Sequence, residues 1–329
     1  MQTCTLANFW HPIATAVNVT EQPKSFVLLG EKIVAYRDGQ GVVAFKDRCI
    51  HRGVALSLGS VKGGHLTCAY HGWQYDRAGI CIHIPALPAG ASIPRKARVT
   101  AYRAEEAYGL IWVALADPML PLPTWPDDAW QNPAYRVFFV KEYVWKSSAG
   151  RAIENAVDFA HFNFVHKGYT ELADGPEVHS YDVHETNTGL EYAYEDGRIR
   201  REYTLHAPFT LHDKKYVIRA DKGGTWSEGS APETGNTTIL TFIASPVEEK
   251  LTHIYVFVGR NHALETDDRA FAQGFDTIMD QDRAIVESQR PEQIPTDLKV
   301  ELHLKVPDAA SIAYRRLLGR IKAAAPFGA

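Results

Sequence analysis

Apolar and polar residues alternate with a period of two through most of this chain, and the period lengthens to that of a helix in three stretches. In the first third, runs at 26–29 and 32–37 precede Asp38-Gly39-Gln40-Gly41, a hairpin turn signal, and a further run at 42–45. A second turn at 76–79 leads into an apolar run at 80–84, and Gly-Leu-Ile-Trp-Val-Ala-Leu at 109–115 closes the strand-like region. Pro118, Pro121, Pro123, Pro126 and Pro133 then crowd one segment, which cannot be a regular element and reads as a linker. The pattern places a domain boundary near residue 118, with one domain over 1–118 and another over 119–329. The second domain reads as a strand at 135–145, a helical stretch around 154–166, and strands at 187–195, 199–206, 215–219, 237–244 and 252–258. Helices at 266–290 and 309–323 follow. A sheet with long helices is an α+β arrangement.

Composition narrows the function classes. The 329 residues suffice for two domains. A 45% hydrophobic and 22% charged content suits a soluble globular chain, and the net charge of −4 with no basic run gives nucleic acid nothing to bind. No apolar stretch is long enough for a membrane span, and the first residues lack the pattern of a signal peptide. Four cysteines at this length make no disulfide framework, so a cytoplasmic location is expected. Cys81 reads as a small buried hydrophobe.

Two mixed pairs carry the first chemistry: Cys49-Ile50-His51 and Cys68-Ala69-Tyr70-His71. A Rieske [2Fe–2S] cluster holds one iron with two Cys and the other with two His. Zinc also accepts Cys₂His₂, but its usual spacing keeps the cysteines together and the histidines together. Mixed pairs favour the cluster, and zinc is the alternative. Trp73 is expected to pack over this region. With few hydroxyl donors visible around the pairs, a low-potential cluster is expected.

The segment from Cys49 to Asp76, CIHRGVALSLGSVKGGHLTCAYHGWQYD, resembles the Rieske domain of bacterial Rieske non-haem iron oxygenases. The similarity is greatest to short demethylating monooxygenases acting on vanillate, dicamba or caffeine-type N-methyl groups. Ile50 and Ala69 stand where the family usually has proline.

The second motif is Asn155, Asp158, His161 and His166, which resembles the family's N-x-x-D-x-x-H-x-x-x-x-H. Non-haem iron oxygenases bind Fe(II) with two His and one carboxylate on one face of the metal. Five residues between His161 and His166 exceed one face of a straight helix, so a bend is expected between them. The third ligand must be an acid elsewhere, and candidates cluster at Asp276, Asp280 and Asp282. Phe271, Phe275, Ile278, Met279, Asp282, Ile285, Val286 and Gln289 form one mostly apolar helical stripe, and Asp282 is the acid on it. A buried carboxylate needs a partner or a metal. The family pattern also lands on Asp282, with Gln281 where a Glu is usual. Asp158, three residues before His161, can reach that ring's outer nitrogen. Of Phe159, Phe162 and Phe164, at least two are expected in the core.

The resemblance implies an N-terminal all-β Rieske domain and a C-terminal helix-grip (START-like) catalytic domain with an antiparallel sheet. It implies a terminal oxygenase carrying one [2Fe–2S] cluster and one Fe(II) per subunit, and using O₂ to hydroxylate a C–H bond, with O- or N-demethylation and formaldehyde release foremost. Ring or side-chain hydroxylation is the alternative within the family, and a Rieske electron carrier the alternative outside it. A separate NAD(P)H-dependent reductase, with or without a ferredoxin, is implied because the chain lacks a Gly-rich nucleotide motif. The resemblance further implies a homotrimer in which Asp158 carries electrons from His71 of a neighbouring subunit, with Asn155 beside it.

Overall fold

The computed structural model describes residues 5–170, 172, 175–197, 199–218 and 235–322. The chain divides into two compact units, with the division between Pro121 and Leu122.

The first unit is all β. Strands β1 (His11–Thr15), β2 (Lys24–Leu28), β3 (Glu31–Arg37), β4 (Val42–Lys46), β9 (Ala101–Ala107) and β10 (Leu110–Ala114) form an antiparallel sheet in the order β1-β10-β9-β4-β3-β2. A second sheet, in sequence order, contains β5 (Ser60–Lys62), β6 (His65–Thr67), β7 (Gln74–Tyr75) and β8 (Cys81–His83). Residues from both sheets, among them Val34, Phe45, Leu66 and Tyr75, share one core with Cys49, Cys68 and Cys81. Each is at least nine-tenths buried, and a buried side chain of this size contributes ~1.5–3 kcal/mol. The two mixed pairs therefore sit on the edge of a packed core.

The second unit opens with the rest of the proline-rich stretch, where Pro126–Asp128 makes a 3-10 turn. Its seven-stranded antiparallel sheet has the order β11-β17-β16-β15-β14-β13-β12. The strands are β11 (Arg136–Trp145), β12 (Val183–Glu185), β13 (Gly189–Glu195), β14 (Ile199–His206), β15 (Thr210–Val217), β16 (Thr237–Glu248) and β17 (Leu251–Arg260). Helix α1 (Ala149–Val157) packs on β15 and β16, α3 (Asp268–Ser288) on β11, and α4 (Ala309–Lys322) on β12 and β13; α2 (Phe162–Val165) is a single turn. No helix among the described residues is long and apolar enough to cross a membrane.

The pattern missed in informative places. The strand expected at 215–219 starts at Thr210, because His212, Asp213 and Lys214 break the apolar alternation ahead of residue 215; Arg219, the last residue of the expected strand, lies outside the described residues. Strand β12 is too short for periodicity to show. On α3, Phe271, Met279, Asp282 and Val286 are buried, but Ile285 is 46% exposed, so the stripe ends earlier on that side. Arg315, on α4, is buried with Arg151. Both guanidiniums share Glu154 and Glu301, with Arg151 Nη2 to Glu301 Oε1 at 2.6 Å. These ion pairs hold Glu301 down at about 2, through hydrogen bonds from Arg151 first, against burial, and from Arg315. Breaking such a buried set costs ~3–5 kcal/mol. It ties α1 to α4 and so fixes the helix that leads into the second motif.

Candidate metal centres and substrate cavity

Each cysteine of the first centre opens the same kind of loop. Cys49 N–H donates to Val54 O (2.8 Å) and Gly53 N–H to Cys49 O (2.9 Å); Cys68 N–H donates to Trp73 O (2.9 Å) and Gly72 N–H to Cys68 O (3.0 Å). Gly53 and Gly72 close the loops at φ of +72° and +68°, a conformation costing an L side chain ~1–2 kcal/mol. Asp47 anchors the first loop by accepting from Ser57 N–H (2.8 Å) and from the hydroxyls of Ser57 (2.7 Å) and Ser25 (2.8 Å).

The loops bring the rings of His51 and His71 to 4.5 Å between centroids. Trp73 lies flat on His51 at 4.6 Å and Tyr70 rests on His71 at 3.8 Å. Cys49 and Cys68 are buried and in no disulfide. Burial lowers the pKa of His51, helped by the charges of His71 and Arg52, and its buried Nδ1 has no hydrogen-bond partner. Burial raises the pKa of the Cys68 thiol, so holding it as a thiolate calls for nearby positive charge. The Tyr75 hydroxyl lies 3.1 Å from Cys49 Sγ. This hydroxyl donor was not anticipated, and it weakens the expectation of a low-potential cluster. Its signal was the tyrosine four residues after His71.

Single-ion binding fits these four residues poorly. Ligands around one zinc stand within ~4 Å of each other, given bonds of 2.0–2.3 Å. Among the described residues, the group of three or more candidate ligands whose atoms lie within 4.8 Å of one another is His161, His166 and Asp282, in the other unit. A two-iron cluster, wider than one ion, suits the first set.

The second centre starts at the end of α1. Ser148 caps the helix by accepting from Arg151 N–H (3.3 Å), and the Tyr192 hydroxyl takes up Val157 O (2.6 Å). The helix breaks at Asp158, before His161, and α2 makes one turn between His161 and His166. The bend therefore precedes the two histidines. Asp158 acts as a cap rather than a helix-face neighbour. Its carboxylate accepts from Ala160 N–H (3.0 Å), His161 N–H (3.2 Å) and His161 Nδ1 (2.8 Å). His166 Nδ1 faces Gln281 Oε1 at 2.9 Å, a partner that the reading of Gln281 as a neighbour of the ligand had not assigned.

Both outer nitrogens face acceptors and so carry the protons, which leaves Nε2 of each ring as a lone pair. These lone pairs face each other at 3.2 Å, and Asp282 Oδ1 lies 3.1 Å from His166 Nε2 and 3.5 Å from His161 Nε2. Asp282 Oδ1 is buried with no hydrogen bond. Three acceptors converging in a buried site repel unless a cation lies among them, so the residues fit a metal ion. Burial disfavours protonation of His166, but Asp282 and Gln281 outweigh it and raise the pKa; positive charge is drawn to this point.

Asp276 bonds to Tyr143 (2.8 Å) and Lys141 (3.2 Å), and Asp280 pairs with Arg283 (3.1 Å); neither approaches the histidines. Asn155 lines the adjoining cavity but makes no hydrogen bond to His161. Of the three phenylalanines, Phe159 is buried and stacks on Tyr194 at 4.2 Å, Phe162 lines the cavity, and Phe164 is 73% exposed. One of the three is therefore core, fewer than expected, because the two on α2, Phe162 and Phe164, face the cavity and solvent.

The cavity measures about 360 Å³ and reaches His161, His166 and Asp282. Its walls are largely apolar, with Leu240, Phe242, Phe275 and Ile278 among them. Arg201 and Asp213 also line it, joined at 2.5 Å, with Arg201 against the Phe162 ring and bonded to Thr170 (2.8 Å). Neither was singled out in the sequence, where the two are merely polar residues of adjacent strands.

Comparison with known proteins gives the same order of parts. Residues 9–103 match the Rieske [2Fe-2S] domain and residues 145–324 the vanillate O-demethylase oxygenase C-terminal domain. The chain is 31% identical to methylxanthine N1-demethylase NdmA of Pseudomonas putida, over 97% of this chain and 90% of that one. It is 32% identical to methylxanthine N3-demethylase NdmB of the same organism, over 88% and 83%. The solved structure of Pseudomonas putida CBB5 NdmA with caffeine superposes with a TM-score of 0.80 at 31% identity, covering 95% of this chain and 90% of that one. Dicamba monooxygenase bound to dicamba shares the fold, with a TM-score of 0.76 at 20% identity over 97% and 98%. The cofactors of such an enzyme are a [2Fe–2S] cluster in the first domain and a mononuclear iron in the second. Terminal oxygenases of this kind work with separate reductase or ferredoxin components. With a Rieske domain leading into a vanillate demethylase-type catalytic domain, the chain belongs to the Rieske oxygenases of the demethylase type and is an oxidoreductase.

Proposed function

We propose that this protein removes an O- or N-linked methyl group from a small aromatic or heterocyclic substrate, releasing formaldehyde. We further propose Cys49, His51, Cys68 and His71 as the cluster ligands and His161, His166 and Asp282 as the iron ligands. The observation that carries the reading is the meeting of His161 Nε2, His166 Nε2 and Asp282 Oδ1 beside a largely apolar cavity.

When bound, the cluster supplies electrons singly and the iron supplies the site where O₂ is reduced and a methyl C–H bond hydroxylated. The hydroxymethyl product then collapses to formaldehyde and the demethylated compound. The overall balance consumes one O₂, two electrons and two protons; one oxygen atom enters the hydroxylated carbon and leaves in formaldehyde, and the other leaves as water. The chain's own residues prepare this chemistry. Asp158 and Gln281 hold the two Nδ1 protons and so aim both Nε2 lone pairs inward. Phe162, Leu240 and Phe242 exclude water and hold an aromatic ring near the ligands.

Electrons reach the protein from an NAD(P)H-dependent reductase, directly or through a ferredoxin, in the cytoplasm. The functional assembly is a homotrimer in which Asp158 links His161 to His71 of a neighbouring subunit. Residues 1–118 form the Rieske domain and 119–329 the catalytic one.

The test is a screen of methoxy- and methylamino-arenes with a surrogate reductase, measuring formaldehyde and iron content. Three irons per chain and stoichiometric formaldehyde are expected. Two irons per chain with no product from any compound would instead indicate an electron carrier.

A further inference from the structure

The cavity wall holds one charge that no described residue around it balances. Neighbouring residues of β15 face opposite sides of the sheet. Lys214 is ion-paired with Asp127 (2.8 Å) and Glu202 (3.8 Å) and is not part of the cavity wall. Lys215, the next residue, lines the cavity, half-buried, directly across from Arg201 on β14 and Thr238 on β16. Among the described residues, no carboxylate pairs with Lys215.

The other charged groups on the wall are accounted for. The charge of Arg201 is matched by Asp213, with Nη1 at 2.5 Å, and its Nη2 bonds to Thr170; Arg201 Nε and Asp213 Oδ1 are buried without a hydrogen-bond partner. Asp282 belongs with His161 and His166. Among the described residues, Lys215 is left as the unpaired positive charge in a space whose walls are largely apolar. A neutral ring filling the cavity would strip water from the ammonium and return nothing. An anion would form a charge-assisted hydrogen bond, strengthened by the low dielectric of the enclosed site.

We propose that the substrate is an anion, an aryl carboxylate or sulfonate carrying the methyl ether or methylamine, and that Lys215 binds its acid group. The inference rests on the demethylase reading above and adds the charge of the substrate. A cavity of about 360 Å³ takes a molecule of one or two rings. Lys215 acts here on specificity and orientation, and takes no part in the oxidation itself.

The test compares a matched pair on the holoenzyme by calorimetry: 4-methoxybenzoate and its neutral amide, 4-methoxybenzamide. The acid is expected to bind about tenfold more tightly or better, the size of effect given by a hydrogen bond between charged groups. The preference should shrink as salt rises. Lys215→Met, which keeps the length and removes the charge, should abolish the preference, and Lys215→Arg should retain it. Equal affinity for acid and amide in the unmodified enzyme overturns the proposal without any variant. So does an acid preference that survives in Lys215→Met. Formaldehyde release separates this inference from the reading it rests on. Lys215-dependent acid binding with no formaldehyde from any methylated arene would break the demethylase reading and leave the charge assignment standing. Formaldehyde formed from the amide as efficiently as from the acid would do the reverse.

Discussion

The four proposed cluster ligands occupy two loops close in sequence, one between β4 and β5 and one between β6 and β7, while the proposed iron ligands come from two ends of the second domain's chain. Cys49, His51, Cys68 and His71 are held by repeated backbone bonds and two positive-φ glycines, so local sequence is enough to form their loops. His161 and His166 flank a single turn, and Asp282 arrives on α3 only after the seven-stranded sheet has been built. The outer partners of the two iron-site histidines differ as well. His161 has the carboxylate of Asp158, which also bonds its own turn; His166 has the neutral amide of Gln281, from the helix that supplies Asp282. The difference teaches that the first centre can survive damage to the second, and that the two histidines should respond differently to loss of their partners.

The largest expected effect breaks the second centre alone. Asp282→Ala should lose the mononuclear iron and bring formaldehyde formation to background, with the red-brown Rieske spectrum unchanged. Asp280→Ala, on the exposed face, should keep both. Iron analysis and visible spectra decide this, and loss of the spectrum in Asp282→Ala would show that the centres are not independent.

Asp158→Asn should retain both metals and nearly abolish turnover, because the amide keeps the shape and loses the negative acceptor shared by His161 Nδ1 and two backbone N–H groups. Rapid single-turnover oxidation of the reduced cluster, at the rate of the unmodified enzyme, would remove Asp158 from electron transfer. Gln281→Leu should be milder, weakening iron binding by ~10–100-fold through a misoriented His166. An equal or larger loss of electron transfer in Gln281→Leu would erase the distinction between the two partners.

Acid should loosen both domains through different histidines. Burial pushes His11 of the first unit down to about 4, against its bond to Leu6, and His212 of the second down to about 3. Both start from 6.5 in the unfolded chain, so below that pH the unfolded state takes up protons that the native state refuses. Stability should fall as pH drops from about 6.5 toward 4, by up to ~1.4 kcal/mol per pH unit for each group. Thermal melts of His212→Asn against the unmodified chain, from neutral to acid, check this; an unchanged acid slope would count against His212.

The smallest effect sharpens the first centre. Tyr75→Phe removes the hydroxyl 3.1 Å from Cys49 Sγ and should lower the cluster potential while leaving its spectrum in place, since the reduced, more negative cluster loses a donor. Redox titration checks the direction, and an unchanged potential would mean that the hydroxyl does not donate to this sulfur.

The ease of reading each part from sequence follows the same contrast. Cys49, His51, Cys68 and His71 stand in one short segment whose spacing is itself the chemistry. Asp282 could be chosen over Asp276 and Asp280 because helical phase marks which acid faces inward. Gln281 could not be paired with His166, nor Tyr75 with Cys49, because neither relation has a periodicity. Strand β15 is expected too late for a related reason: Asp213 looks like a solvent-facing residue until Arg201 of β14 lies beside it.

By itself, then, the order of residues determined the two-domain α+β plan, the two mixed Cys-His pairs, the paired histidines and the inward acid, since each depends on local spacing or on the period of one element. Only the tertiary structure decided the break at Asp158 ahead of His161, the hold of Gln281 on His166, the hydroxyl on Cys49, and the place of Lys215 on the cavity wall. These depend on which side chains meet across strands and helices distant in sequence, and long-range packing, rather than local preference, settles that.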